Sequence, residues 1–338
     1  MTSSVFGKLA DGTEIREVVI GAGDLTVTVI TLGAVIRDVR LKGVAHPLVL
    51  GFDDLDSYLQ HSPHFGTVAG RSANRIAHGR FRIDGREYQV TPNEKGKTHL
   101  HGGRVGFGNR AWRLVAHDAA SVTLALSAAD GEEGYPGNLE VELRYIVEAP
   151  ATLRMEARAT TDAPTLVNLA QHSYFNLDDS ADILDHRVQI FAESYTPTDA
   201  DLIPTGEILS VAGSVFDFRA PKPVRQTRQG ERVVFDKNFV VARQKSDDLR
   251  TQVRLTSPKN GLVLQVSSTE PGVQFYDGTY LQVPVPGLGG RSYRPNGGCC
   301  FEPQLFPDAP NHASFPSSVL RPGETYRQTS LFAFSRGG

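Results

Sequence analysis

One carboxylate, Glu302, stands in the run Phe301, Glu302, Pro303, Gln304, Leu305, Phe306, Pro307, among apolar residues and prolines. Such surroundings raise a carboxyl group's proton affinity toward neutral pH, which is what a general base requires. A buried ion-pair partner would sit in the same setting, so the rest of the chain must decide. A second group lies at 168–177, where Asn168, His172, Ser173, Tyr174 and Asn176 crowd together with leucine and phenylalanine. In extended chain the two-residue period puts His172 and Tyr174 on one face. Histidine changes protonation most readily near neutrality, so His172 is the candidate proton donor to complement Glu302. These polar groups either satisfy one another as a structural network or line a cleft for a hydroxyl-rich ligand.

Further candidates flank this pair. At 70–76 Asn74, Arg71 and Arg75 stand near a glycine that lets a ligand approach the backbone, and planar donors there suit hydroxyl groups. The alternative is a loop whose arginines cap neighbouring carbonyls. At 98–103 His99 and His101 share a face if the strand is regular, which allows a metal pair. The residues that follow, Arg104 to Phe107, offer no further ligand, and Gly102 and Gly103 end the strand with His101 at its rim. No metal is expected. Asp236 follows Phe235, and Gln274 lies between Val273 and Phe275. Aromatic faces beside carboxylates and amides make a sugar-binding surface, because a pyranose has apolar C–H faces and a polar rim.

The elements that must position these groups are strands. Apolar runs at 25–32, 81–90, 121–126, 139–148, 153–159 and 262–267 are separated by turn residues. Along 141–148 valine, leucine, tyrosine and valine alternate with glutamate, arginine and isoleucine, as expected for a strand with one face in a core. The 33 glycines and 20 prolines fall mostly between such runs. No helical stripe is sustained, and one short helix is expected at 55–60. The 338 residues show no repeat, low-complexity linker or composition break, so residues 1–338 read as one mainly β domain, a large antiparallel β-sandwich with few short helices. A net charge of -3 with scattered lysines and arginines gives no reason to expect nucleic acid or an anionic membrane as partner. Adjacent Cys299 and Cys300 suit buried thiols rather than a disulfide or zinc framework. Residues 1–12 lack a basic stretch leading into an apolar run, and no later run approaches bilayer-spanning length, so the protein is expected to be soluble and cytoplasmic.

The stretches at 70–76, 99–103, 130–137, 171–177 and 301–311, in that order and across most of the chain, resemble the signature segments of the aldose 1-epimerases, the galactose mutarotase family. The resemblance implies a sandwich of the galactose mutarotase type and interconversion of the α and β anomers of free aldoses such as galactose and glucose, without cofactor or metal. By position it implies Glu302 as general base, His172 as general acid, and Asn74, Arg75, His101, Tyr174, Asp236 and Gln274 as contacts for a monosaccharide. Lys237, where the family often has histidine, and Asp277, where threonine is common, depart from the pattern and bear on sugar preference or the lip of the cleft. In such a reaction Glu302 enters ionised and His172 protonated. Rival readings are a hexose 6-phosphate epimerase, with Arg71 and Arg75 around the phosphate, a glycosidase pairing Glu302 with Asp236, and a non-catalytic carbohydrate-binding sandwich. A monomer or weak homodimer fits equally, and the preferred aldose is not legible.

Overall fold

The computed structural model describes residues 3–337. Its largest sheet has nine strands, and its spatial order runs Arg113–His117, Ser121–Ala128, Leu139–Glu148, Thr152–Thr161, Tyr326–Arg336, Leu262–Ser268, Arg250–Thr256, Arg187–Ile190, Lys222–Pro223. Every pairing is antiparallel. The alternation expected along 139–148 is realised: Leu139, Val141, Leu143, Tyr145 and Val147 are buried while Glu140, Glu142 and Arg144 face solvent. A four-stranded sheet, Ser4–Lys8 to Val35–Leu41, packs its Val18, Ile20, Val27 and Val29 into the same core. The protein is thus mainly β and antiparallel, and its single α-helix among the described residues is Leu55–His61, capped by Asp54, which accepts from the Ser57 amide at 2.8 Å.

A six-stranded sheet carries the chemistry. Its order is Tyr174–Phe175, Cys299–Gln304, Gly272–Tyr276, Asp236–Val240, Ser194–Tyr195, Leu209–Ser210. One face is aromatic core: Phe275 stacks on Phe301 at 5.2 Å and on Phe235 at 5.4 Å, and Phe175 reaches Phe332 of the large sheet at 5.8 Å. Because side chains alternate across a sheet, Cys300 and Glu302 must then face the other way. The register sets their neighbours, with Glu302 opposite Gln274, which is opposite Asn238. The next row is Tyr174, Cys300, Tyr276 and Asp236.

One expected strand divides. Residues 81–90 form a hairpin, Arg80–Ile83 against Arg86–Gln89, turning at Asp84 and Gly85 with φ of 51° and 81°. Asp-Gly with both residues left-handed is the two-residue turn whose twist matches antiparallel strands. The apolar pattern continues through it, which is why the run reads as one strand in sequence.

Candidate active site

A cavity of about 500 Å³ opens on the polar face of the six-stranded sheet. Of the expected residues, Asn74, Arg75, His101, His172, Tyr174, Asp236 and Glu302 line it. Gln274 does not. It is buried beside Glu302 on the same face of the sheet and donates to Asp236 Oδ1, so it orients that carboxylate.

His172 and Glu302 meet at the base, Nε2 to Oε2 at 3.7 Å, both almost wholly buried. Burial opposes charge on each. It pushes His172 down to about 3, with the neighbouring His64 acting in the same sense. It pushes Glu302 well above the usual carboxylate range, helped by nearby Asp236 and opposed by Arg75. Burial thus favours the neutral form of each, the carboxyl group over the carboxylate and the imidazole over the imidazolium, the reverse of the charged pair that ring opening uses. Glu302 Oε2 has no hydrogen-bond partner among the described residues, a vacancy that a ligand hydroxyl can fill. Behind the imidazole, Cys300 Sγ lies 3.5 Å from Nδ1. Cys299 points into the core.

The 168–177 cluster fulfils both alternatives open in the sequence. Asn168 accepts from the Leu305 amide at 2.9 Å, Gln171 donates to the Gly66 carbonyl at 3.0 Å, and Asn176 donates to the Gly297 carbonyl at 2.9 Å. These are structural bonds. His172 and Tyr174, between them, face the cavity, and the Tyr174 hydroxyl is anchored to the Pro63 carbonyl at 3.1 Å.

His99 and His101 do not form a pair. The strand His99–Leu100 ends at His101, whose φ of 50° breaks the alternation. His99 is fully buried between the Thr91 carbonyl, 2.7 Å from Nδ1, and the Tyr135 hydroxyl, 2.6 Å from Nε2. His101 instead turns into the cavity and its Nδ1 accepts the Asn74 amide at 3.2 Å. His101, His172 and Glu302 bring donor atoms within 4.8 Å of one another, close enough for a cation. The Asn74 bond leaves the proton of neutral His101 on Nε2, which makes that atom a hydrogen-bond donor rather than a metal ligand.

Arg71 is committed elsewhere. Nearly fully buried, it donates through Nη1 to the carbonyls of Pro136 at 3.0 Å and Gly137 at 2.9 Å and to Thr165 Oγ1 at 3.1 Å, which fixes the 130–137 stretch. Arg75 lies on the other side of the chain, inside the cavity, with Nη1 3.6 Å from Asp236. Asp277 is buried and paired with Arg232 at 3.0 Å, so it acts behind the lip. Lys237, next to Asp236 on an alternating strand, bonds Thr198 and does not line the cavity. Sequence reasoning missed His64, whose ring is 4.8 Å from that of His101 and 5.6 Å from that of His172. It also missed Glu94, which holds Arg75. His64 sits in a loop with a φ of 70° and Glu94 in a polar turn, and neither place carries a periodic signal.

A sequence profile of the aldose 1-epimerases matches residues 16–333. The chain belongs to this family. It is 40% identical to galactose mutarotase of Rattus norvegicus, over 99% of this chain and 98% of the relative. It is 34% identical to aldose 1-epimerase of Escherichia coli K12, over 92% of each. Among solved structures, an aldose epimerase homologue from C. elegans superposes with a TM-score of 0.90 at 32% identity, covering 96% of this chain and all of that one. The family's sandwich is therefore the architecture seen here.

Proposed function

We propose that this protein is an aldose 1-epimerase that interconverts the α and β anomers of free aldohexoses such as galactose and glucose, with Glu302 and His172 as its acid-base pair. The observation that carries the assignment is the 3.7 Å spacing of His172 Nε2 and Glu302 Oε2 at the base of the cavity. The ring oxygen and the anomeric hydroxyl of a sugar hang on one carbon, so the two groups that exchange protons with them must stand a few ångströms apart.

Ring opening needs Glu302 to take the anomeric hydroxyl proton while His172 protonates the ring oxygen, leaving an aldehyde. Rotation about the bond to the carbonyl carbon presents its other face, and closure reverses both transfers. The neutral pair that burial favours, Glu302 protonated and His172 unprotonated, is the one that closes the ring: the carboxyl group donates to the aldehyde oxygen and the imidazole takes the proton of the attacking hydroxyl. Opening uses the same single proton placed on His172, and hydroxyls bonding to Glu302 favour that placement by stabilising its charged form. The pair ends each cycle with the proton count it began with. Each transfer contributes about 10²- to 10⁴-fold, roughly 3 to 5 kcal/mol. Arg75, His101, Asn74 and Asp236 hold the hydroxyls, and Gln274 holds Asp236.

A free sugar is favoured over a sugar phosphate, which needs a cluster of cations, because Arg71 is bound to backbone, Arg75 is paired with Glu94 and Asp236, and Lys97 is paired with Asp201, which leaves Lys95 as the one cavity-lining lysine or arginine outside an ion pair among the described residues. The whole chain acts as one catalytic domain, since strands from its middle and its C-terminal end share the large sheet. Polarimetry on freshly dissolved α-galactose and α-glucose tests the assignment. Wild type should speed the drift to equilibrium, and Glu302→Gln and His172→Ala should each lose at least about 10²-fold. An unchanged rate in either variant removes that residue from the mechanism, and a wild type no faster than buffer leaves a pure binding role.

A further inference from the structure

Arg75 does not meet the cavity as a free cation. Its Nε and Nη2 both donate to the Glu94 carboxylate at 2.8 Å, a two-point fork that leaves Nη1 turned toward Asp236 at 3.6 Å. Glu94 is itself held in place by its turn. Its amide donates to the Thr98 carbonyl at 2.9 Å, the Lys97 and Thr98 amides donate back to its own carbonyl at 3.0 and 3.1 Å, and the left-handed Lys95 and Gly96 close the loop. The preceding residue locks this turn to the His101 segment, since Asn93 Oδ1 accepts from the Leu100 amide at 2.7 Å and its Nδ2 donates to the Leu100 carbonyl at 3.0 Å. A side chain that looks like part of a solvated turn in sequence is thus a fixed wall of the cavity.

We propose that Glu94 is a positioning residue of the sugar site, which aims the Arg75 fork and limits how much of the Arg75 charge reaches Glu302. The inference rests on the assignment of Glu302 as the proton-transferring carboxylate. Glu302 is faced by His172 from the 172–174 segment, His101 from the residue after the His99–Leu100 strand, Gln274 and Tyr276 from the adjacent strand, Asp236 from the strand beyond, Arg75 from the Arg75–Ile76 strand, and Cys300 and Tyr174 beside it. Arg75 is the one cation among these, and Asp236 and Glu94 are its carboxylate partners. Removing the Glu94 charge leaves Arg75 less compensated, which favours ionised Glu302, and frees the guanidinium to rotate.

Glu94→Gln keeps the shape and removes the charge. Its alkaline limb in kcat/KM should move to lower pH by about one unit, the lower end of what an opposite charge a few ångströms away does to a carboxyl group. Its KM for galactose should rise several-fold, and Glu94→Asp, which keeps the charge, should return the limb toward wild type. Carboxyl ¹³C NMR of Glu302, assigned by difference from Glu302→Gln, reads the same shift without catalysis. An unmoved limb and an unmoved Glu302 resonance in a folded Glu94→Gln protein overturn the proposal. If Glu302→Gln keeps full activity, it is the acid-base assignment that fails, and the NMR titration still decides whether Glu94 acts on Glu302.

Discussion

The proton shared by His172 and Glu302 sets how this site should respond to pH. His172 accepts a second proton only near its lowered value of about 3, and Glu302, raised by burial, gives up the only proton well above the usual carboxylate range. The two-proton form lacks a base and the zero-proton form lacks an acid, so both are inactive. The profile of kcat/KM should therefore have its acid limb well below 6.5, the ordinary imidazole value, and its alkaline limb above the usual carboxylate range. Activity lost as the pH falls through the ordinary imidazole value would contradict the shared-proton account. Because the two side chains act as one unit, the double variant Glu302→Gln/His172→Ala should be little slower than the worse single variant, not the product of the two losses. Stopped-flow polarimetry of the three variants checks this.

At the level of elements, the site depends on loops pinned by buried polar side chains. Arg71 donates to the carbonyls of Pro136 and Gly137 while its backbone neighbours carry Asn74 and Arg75. Arg71→Met removes the charge-assisted bonds and strands buried carbonyls, a loss of at least about 3 kcal/mol. Urea unfolding should show this as a lower midpoint. The protein that remains folded should keep a nearly normal KM, because Arg71 does not line the cavity. Asp308 ties the other end: it accepts the Ala77 amide at 2.9 Å and its own amide donates to the Arg75 carbonyl at 2.9 Å. The 301–311 stretch thus supplies both Glu302 and a brace for the Arg75 backbone.

On the scale of the whole molecule, the aromatic face under the glutamate strand fixes the strands on whose opposite face Glu302 stands. Phe275 is fully buried, stacks between Phe301 and Phe235, and packs edge-on against Phe218 at 5.7 Å. Phe275→Ala should cost about 3 to 5 kcal/mol through lost burial and the cavity left behind. It should also lower kcat more than KM, since Gln274 and Tyr276 beside it carry the cross-strand contacts to Glu302 and Cys300. Thermal unfolding together with steady-state kinetics would show whether the two effects travel together.

Much of this protein was legible from its sequence because strand periodicity and turn chemistry are local. The alternation along 139–148 and the helix beginning at Leu55 needed no partner to be recognised, and the five ordered segments of the resemblance contain Glu302, His172, Asn74, Arg75, His101 and Tyr174, while Asp236 and Gln274 stand out by their aromatic neighbours. What those residues face is a matter of register between distant strands. Only the pairing of Gln274 with Glu302 and of Asp236 with Tyr276 brings Gln274 beside the Glu302 carboxyl group and Asp236 into the cavity wall. His99 and His101 part company because a left-handed residue interrupts the strand, and Glu94 joins the site because a turn folds it onto Arg75. The direction in which the proton affinities of His172 and Glu302 move was likewise decided by tertiary structure, since it follows from burial and from neighbouring charges, both of which exist only once the strands have come together.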